Sequence, residues 1–182
     1  MPLNGKNLTG LSFAFCVCTL ISINPATGNT TPPLMAAAAK TLTAPRIEHK
    51  YLDGRPFNLA DRLGKYTIIN FWALWCAPCK AELPALGNLQ KALSKYDIEV
   101  IAINLGDSVK TIRRFLKRVD TGTLSIVLDP KSESHKSWRL QGLPTTFIIG
   151  PEGTITHVAL GVRAWGDEKN IQWLVGQLRL LP

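Results

Sequence analysis

Cysteine is scarce in this chain. Four are present among 182 residues, as two close pairs, Cys16/Cys18 and Cys76/Cys79. Past the N-terminal region only the second pair remains, which excludes the disulfide scaffold that staples small secreted domains. Histidine is scarcer still. His49, His135 and His157 stand isolated, and a zinc site on Cys76 and Cys79 would need two further ligands, so no metal is expected. Lys80 follows Cys79, which excludes the CxxCH attachment motif of c-type haem. No glycine-rich phosphate loop, Ser-His-Asp arrangement or internal repeat is visible. Basic residues interleaved with aromatics are also missing, so no nucleic acid is expected as a partner.

Long hydrophobic runs are absent. The longest uncharged apolar stretch, residues 8–23, is 16 residues, shorter than the roughly 20 that a spanning helix needs. Thr9, Gly10, Ser12, Thr19 and Ser22 dilute it further. It fits the apolar region of a secretory signal, with Lys6 as the only basic side chain before it and Ala26-Thr27-Gly28 as small residues for cleavage. Three readings stand: a cleaved signal, a retained membrane anchor, or a start site placed too early, with Met35 as the true one. Acidic residues are missing from the first 44 positions. Residues 24–44 are rich in Thr, Pro, Ala and Asn without an apolar period. The expected organisation is a signal peptide or membrane anchor over 1–28, a flexible linker over 29–44 and one folded domain over 45–182.

That domain has the composition of a globular protein. The whole chain is 46 % hydrophobic with a formal charge of +8. The densest basic cluster, Arg113, Arg114, Lys117 and Arg118, has helical spacing. It reads as one solvated helix face, or as a docking site for an acidic partner or anionic lipid.

Structure signals crowd together from Pro45. Residues 46–51 and 56–59 flank Asp53-Gly54, a hairpin pattern. Residues 67–73 form a continuous apolar run with adjacent isoleucines, the mark of a central buried strand. A helix starts near Cys76 to Cys79, with Leu83, Leu86, Leu89 and Leu93 on one face and Pro84 expected to kink it. A second apolar strand covers 98–105. Asp107 or Ser108 can cap the next helix, whose face is Val109, Ile112, Phe115, Leu116 and Val119. A short strand at 124–128 and a short helix at 132–138 follow. Strands at 145–149 and 154–160 flank a Gly150-Pro151-Glu152-Gly153 turn. The last helix begins near Asp167, facing inward with Ile171, Leu174, Val175 and Leu178. This order predicts an α/β domain whose mixed central sheet is flanked by helices, with an extra N-terminal β-hairpin, the layout of the thioredoxin fold.

The chemistry gathers at Trp75-Cys76-Ala77-Pro78-Cys79. Two thiols three residues apart at a strand-to-helix junction can close a disulfide with little backbone movement. The first sits at a helix N-terminus, where unpaired amides and the helix dipole favour its thiolate. Cys79, one turn further in, is then the resolving thiol. Glu82 lies on the same side as Cys79. It is either an acceptor for the Cys79 proton or an ordinary exposed glutamate of a first turn. Leu143-Pro144 precedes a buried strand. A cis bond there would offer the Leu143 backbone to an extended substrate, whereas a trans bond would merely open the strand. Trp75 flanks the thiol, while Trp72, Trp138, Trp165 and Trp173 read as packing residues.

The segment Asn70-Phe71-Trp72-Ala73-Leu74-Trp75-Cys76-Ala77-Pro78-Cys79-Lys80-Ala81-Glu82-Leu83-Pro84 resembles the active-site segment of TlpA/ResA-like thioredoxins. Gly142-Leu143-Pro144-Thr145-Thr146-Phe147-Ile148-Ile149 is similar to their cis-proline loop, and Gly161-Val162-Arg163-Ala164-Trp165 to the stretch before their last helix. The resemblance spans residues 45–182. It implies a thioredoxin fold, cis Pro144, a functional acid at Glu82, and substrate contact at Trp75, Pro78, Leu143 and Pro144. Asn70 stands where cytosolic thioredoxins carry a buried Asp. Thr145 stands where the CcmG/DsbE branch carries a Glu, a departure from that branch.

By this resemblance the chain is expected to be a periplasmic or otherwise extracytoplasmic thiol-disulfide oxidoreductase. It would be a monomer with no cofactor that reduces cysteine pairs in exported proteins such as apocytochrome c or copper-site proteins. A membrane electron donor of the thiol-reducing type would recharge it. The alternatives are a disulfide oxidase or isomerase using the same residues, or a metal- or haem-delivery module with the dithiol as ligand.

Overall fold

The apolar run at Thr67–Trp72 is the middle of the sheet, and all six of its residues are buried. The computed structural model describes residues 35–178, in part by backbone alone at 39–41. The expected signal peptide or anchor at 1–28 lies outside the described residues. In chain order the strands are β1 (Ala36–Thr43), β2 (Glu48–Tyr51), β3 (Pro56–Asn58), β4 (Thr67–Trp72), β5 (Glu99–Leu105), β6 (Ser125–Asp129), β7 (Thr145–Ile149) and β8 (Thr154–Leu160). The α-helices are α1 (Ala77–Leu93), α2 (Val109–Leu116), α3 (Glu133–Ser137) and α4 (Glu168–Gln177). Among the described residues no helix is long and apolar enough to cross a membrane.

One mixed sheet results, in the order β1-β8-β7-β4-β5-β6-β2-β3. β4 runs parallel to β5 and antiparallel to β7. β5 runs parallel to β6. Right-handed crossovers in one direction put α1 and α2 on the same face. There Ile68 and Trp72 of β4 pack with Leu83, Leu86, Ile112 and Leu174. The alternate β4 residues, Ile69 and Phe71, point to the opposite core with Phe57, Trp138 and Phe147, as the period of two requires. The expected hairpin is β2/β3, and β2 extends the sheet by pairing with β6.

Two expectations are corrected. Residues 36–43 are not linker but an edge strand, β1, antiparallel to β8 through Ala36↔Val158 and Thr43↔Thr154, with a register shift between. A run of small residues has no apolar period to betray a strand whose stability comes from a main-chain ladder. Met35, just before this strand, is 2 % exposed within the core. Val109 is exposed at the first position of α2 rather than on its buried face.

Helix α1 carries the site and is anchored by its leucines. Leu83, Leu86, Leu89 and Leu93 are fully buried, each contributing about 1.5–3 kcal/mol. Together they outweigh the roughly 3 kcal/mol that a proline costs inside a helix, and α1 runs as one element through Pro84. Gly87 lets this helix approach the turn before β6. A Cβ there would fall on the Thr121 carbonyl, well inside van der Waals contact. Gly87→Ala gains about 1 kcal/mol of helix propensity but meets backbone that cannot rotate away, so net destabilisation of about 1–3 kcal/mol is expected. Urea denaturation checks this. An unchanged or raised midpoint would show that the Thr121 turn yields without cost.

Candidate redox site

Where β4 ends, the chain turns before entering α1. Cys76 N–H donates to Ala73 O at 3.1 Å. Leu74 N–H donates to Asp107 Oδ2 at 2.7 Å. The same oxygen accepts from Asn104 Nδ2 at 2.9 Å, and Asp107 N–H donates to Asn104 Oδ1 at 3.1 Å. Asp107 thereby ties the loop before Cys76 to the end of β5. The capping role falls to Ser108, whose Oγ accepts from Thr111 N–H.

Cys76 and Cys79 are joined in a disulfide. Cys76 is the N-cap of α1, with its Sγ accepting from Cys79 N–H at 3.3 Å. No acidic residue lies in the first turn. On opening, the helix amides therefore face a sulfur they favour as thiolate. Cys79 is 1 % exposed and Cys76 5 %, so both are covered in this oxidised state.

Glu82 is not an exposed helix residue. It is 2 % exposed. Its Oε1 accepts from Trp165 Nε1 at 2.7 Å and from Asn70 Nδ2 at 3.0 Å, and its Oε2 accepts from Arg163 N–H at 3.2 Å. Asn70 also donates to Thr146 Oγ1 at 2.9 Å. Burial pushes the Glu82 pKa above its ordinary value, and the three donors, helped by the Arg163 charge, pull it back only in part.

The register of the sheet brings the proline loop to the same end. Thr145 pairs with Phe71, so Leu143 and Pro144 lie beside the strand end that leads to Cys76. The Leu143-Pro144 bond is cis. Pro144 O accepts from Gly161 N–H at 2.8 Å and Gly142 O from Thr145 Oγ1, while the Leu143 N–H and C=O have no partner among the described residues. Trp75 is 74 % exposed, and Leu160 and Val162 are exposed apolar residues of the β8 end. Pro78 is exposed beside the disulfide.

Four contributors escaped the sequence reading: Trp165, Thr146, the Arg163 backbone and Asp107. Trp165 was readable only as an apolar residue, although the stretch containing it had been singled out. Asp107 was readable as a cap because a carboxylate before a helix usually is one.

Glu82 makes stability depend on pH. A carboxyl whose folded pKa lies above its unfolded value holds its proton more firmly in the folded state. The associated stability is present below the ordinary value of 4.5 and is lost as pH rises through the folded pKa. The oxidised wild type is therefore expected to lose stability as pH rises from about 4.5, and Glu82→Gln to lack that segment of the curve. Urea midpoints of both proteins between about pH 4 and pH 8 check this. An identical slope in the variant assigns the dependence to another group.

Comparison with known proteins agrees with this geometry. The AhpC/TSA family model matches residues 41–158. Thiol-disulfide oxidoreductase ResA of Bacillus subtilis is 34 % identical over 65 % of this chain and 65 % of its own length. The protein of the same name from Geobacillus thermodenitrificans is 32 % identical over 73 % of this chain and 76 % of its own. Among solved structures, a Chlorobium tepidum protein proposed to be the thiol:disulfide interchange protein DsbE superposes with a TM-score of 0.68 at 27 % identity, covering 76 % of this chain and 97 % of that one. StoA from Bacillus subtilis gives 0.61 at 27 % identity, covering 72 % and 97 %. With the Cys76–Cys79 pair closed at a helix N-terminus, the family match and these likenesses in sequence and fold place the chain in the AhpC/TSA family, among its thiol-disulfide oxidoreductases of the ResA/DsbE type.

Proposed function

We propose that the chain is an exported reductase of protein disulfides. The observation that carries this reading is the Cys76–Cys79 disulfide with a buried carboxylate, Glu82, one turn further along the same helix. Cys76 thiolate attacks one sulfur of a substrate disulfide, forming a mixed disulfide and releasing the other substrate sulfur as thiolate, which takes a proton from water. Cys79 then gives its proton to Glu82 and attacks the Cys76 sulfur. The mixed disulfide breaks, the second substrate thiol leaves, and the chain returns to the bonded state. The substrate gains two electrons, and a membrane donor of the thiol-reducing type restores them. The unpartnered Leu143 backbone is the edge along which an extended substrate pairs, with Trp75 and Pro78 beside it.

Substrates of this reading are cysteine pairs in exported proteins, such as apocytochrome c or copper-site proteins. The location is periplasmic or extracytoplasmic, reached through a signal or anchor at 1–28, and the working unit is a monomer. The family resemblance and the apolar stretch at 8–23 support these points.

Reduction of a protein disulfide such as insulin by the full chain, with a thiol reductant supplied, is the first test. Cys76→Ser is expected to return the rate to background. Cys79→Ser is expected to accumulate mixed disulfides through Cys76, recoverable from the exported fraction and identifiable by mass. Wild-type rates in Cys76→Ser would overturn the mechanism. A reduction potential near that of the strong oxidant DsbA, about −120 mV, would overturn the direction and favour an oxidase.

A further inference from the structure

The two oxygens of Glu82 are not equivalent. Oε1 receives two side-chain donors, the Trp165 indole N–H and the Asn70 amide. As placed, both groups donate. An indole nitrogen only donates, and the Asn70 amide nitrogen donates to Thr146 Oγ1 as well. A proton placed on Oε1 would face these two donor hydrogens. Oε2 receives a single main-chain donor, Arg163 N–H, at 3.2 Å. Its other lone pair has no donor among the described residues. We propose that Trp165, with Asn70, is a positioning residue for the exchange reaction: the two saturate Oε1 of Glu82 and so assign the Cys79 proton to Oε2. This rests on the reading of Glu82 as the acceptor of that proton.

The surroundings leave this arrangement in control. β4 presents Asn70 and β7 presents Thr146, both neutral. The loop after β8 brings Arg163, the charged group that acts on the carboxylate. On α1 itself Lys80 and Cys79 precede Glu82, with Cys76 at the N-cap. Trp165 is fully buried, so its bond to Oε1 is not exchanged for water. The same loop reaches the substrate edge through Gly161 N–H to Pro144 O. One five-residue segment therefore holds both the acid and the proline loop.

The proton moves from Cys79 Sγ to Glu82 Oε2 as the Cys79 sulfur bonds to Cys76 and the substrate sulfur leaves with the electron pair. The transfer requires an ionised Glu82. Removing the indole donor destabilises that anion and moves its ionisation to higher pH.

The test is stopped-flow reaction of the reduced full chain with an aromatic disulfide such as dithionitrobenzoate. The first coloured thiolate reports attack by Cys76. The second reports resolution by Cys79. In the wild type the second release has an acid limb, and Glu82→Gln is expected to abolish it. Trp165→Phe is expected to keep the limb but move it up by about one pH unit or more, the effect of losing one hydrogen bond to a charged group. A limb at the wild-type pH in Trp165→Phe overturns the assignment of Trp165 while Glu82 stands. A limb that survives Glu82→Gln overturns the underlying reading of Glu82. Where Trp165→Phe does not fold, the wild type still decides. Of the five indole N–H signals in a nitrogen-15 spectrum, one is expected to titrate at the pH of the kinetic limb and to lose that titration in Glu82→Gln. Trp72 and Trp138, whose indole nitrogens are buried without a partner, serve as internal controls. Five indole signals that all stay flat across the limb overturn the proposal.

Discussion

A carboxylate that is 2 % exposed to solvent is the constraint around which this domain is arranged. Unpaired in the interior, Glu82 would cost several kcal/mol as an anion. The fold answers with three donors from two parts of the chain: Asn70 from the central strand, and Trp165 with the Arg163 main chain from the segment before the last helix. Each donor also fixes the element that carries it. Asn70 reaches on to Thr146 and locks β4 to β7 through side chains as well as through the ladder. Trp165 seals the same face as the α1 leucines. The buried carboxylate is thus a cross-brace between α1, the sheet and the loop before the last helix. Removing Glu82 would leave Trp165 Nε1 and an Asn70 hydrogen buried and unpartnered, so the acid cannot be traded for an apolar residue alone.

The opposite flank of the cysteines is held by another acid. Asp107 fixes Leu74 from outside α1, so the loop before Cys76 is anchored to β5 and not merely to its own helix. The α1 N-terminal region therefore has two polar anchors, Glu82 within the helix and Asp107 at the loop before it. Around them the surface is apolar, with Trp75, Leu160 and Val162 exposed.

Legibility in the sequence followed the kind of interaction involved. β4 was readable because a strand buried on both faces has no polar residue to interrupt it except Asn70, and β7 and β8 were readable from a glycine-bounded turn. The cysteine pair and Pro144 were readable because each carries a local chemical signature. β1 was not, since alanines and threonines at a sheet edge owe their place to backbone pairing with β8, which side-chain patterning does not record. Glu82 left two readings open because spacing gives the face of a helix but not what covers it. Its cover, Trp165, lies 83 residues away, and an indole that packs cannot be told by sequence from one that also donates. Asp107 shows the same limit in reverse. Its local pattern was that of a cap, and a loop 33 residues earlier claimed it instead.

Two electrostatic influences act on the thiols in opposite senses. The amides at the start of α1, already directed at Cys76 Sγ by Cys79 N–H, stabilise a thiolate at Cys76. A reduced form stabilised in this way makes a disulfide more oxidising. An ionised Glu82 on the Cys79 side disfavours a second negative charge nearby and pulls the balance toward a reducing couple. Because burial raises the Glu82 pKa, the second influence sets in at a higher pH than it would for an exposed glutamate. The donors on Oε1 both place the carboxylate and favour its charged form, so the position of the acid and the pH at which it carries its charge have one structural origin.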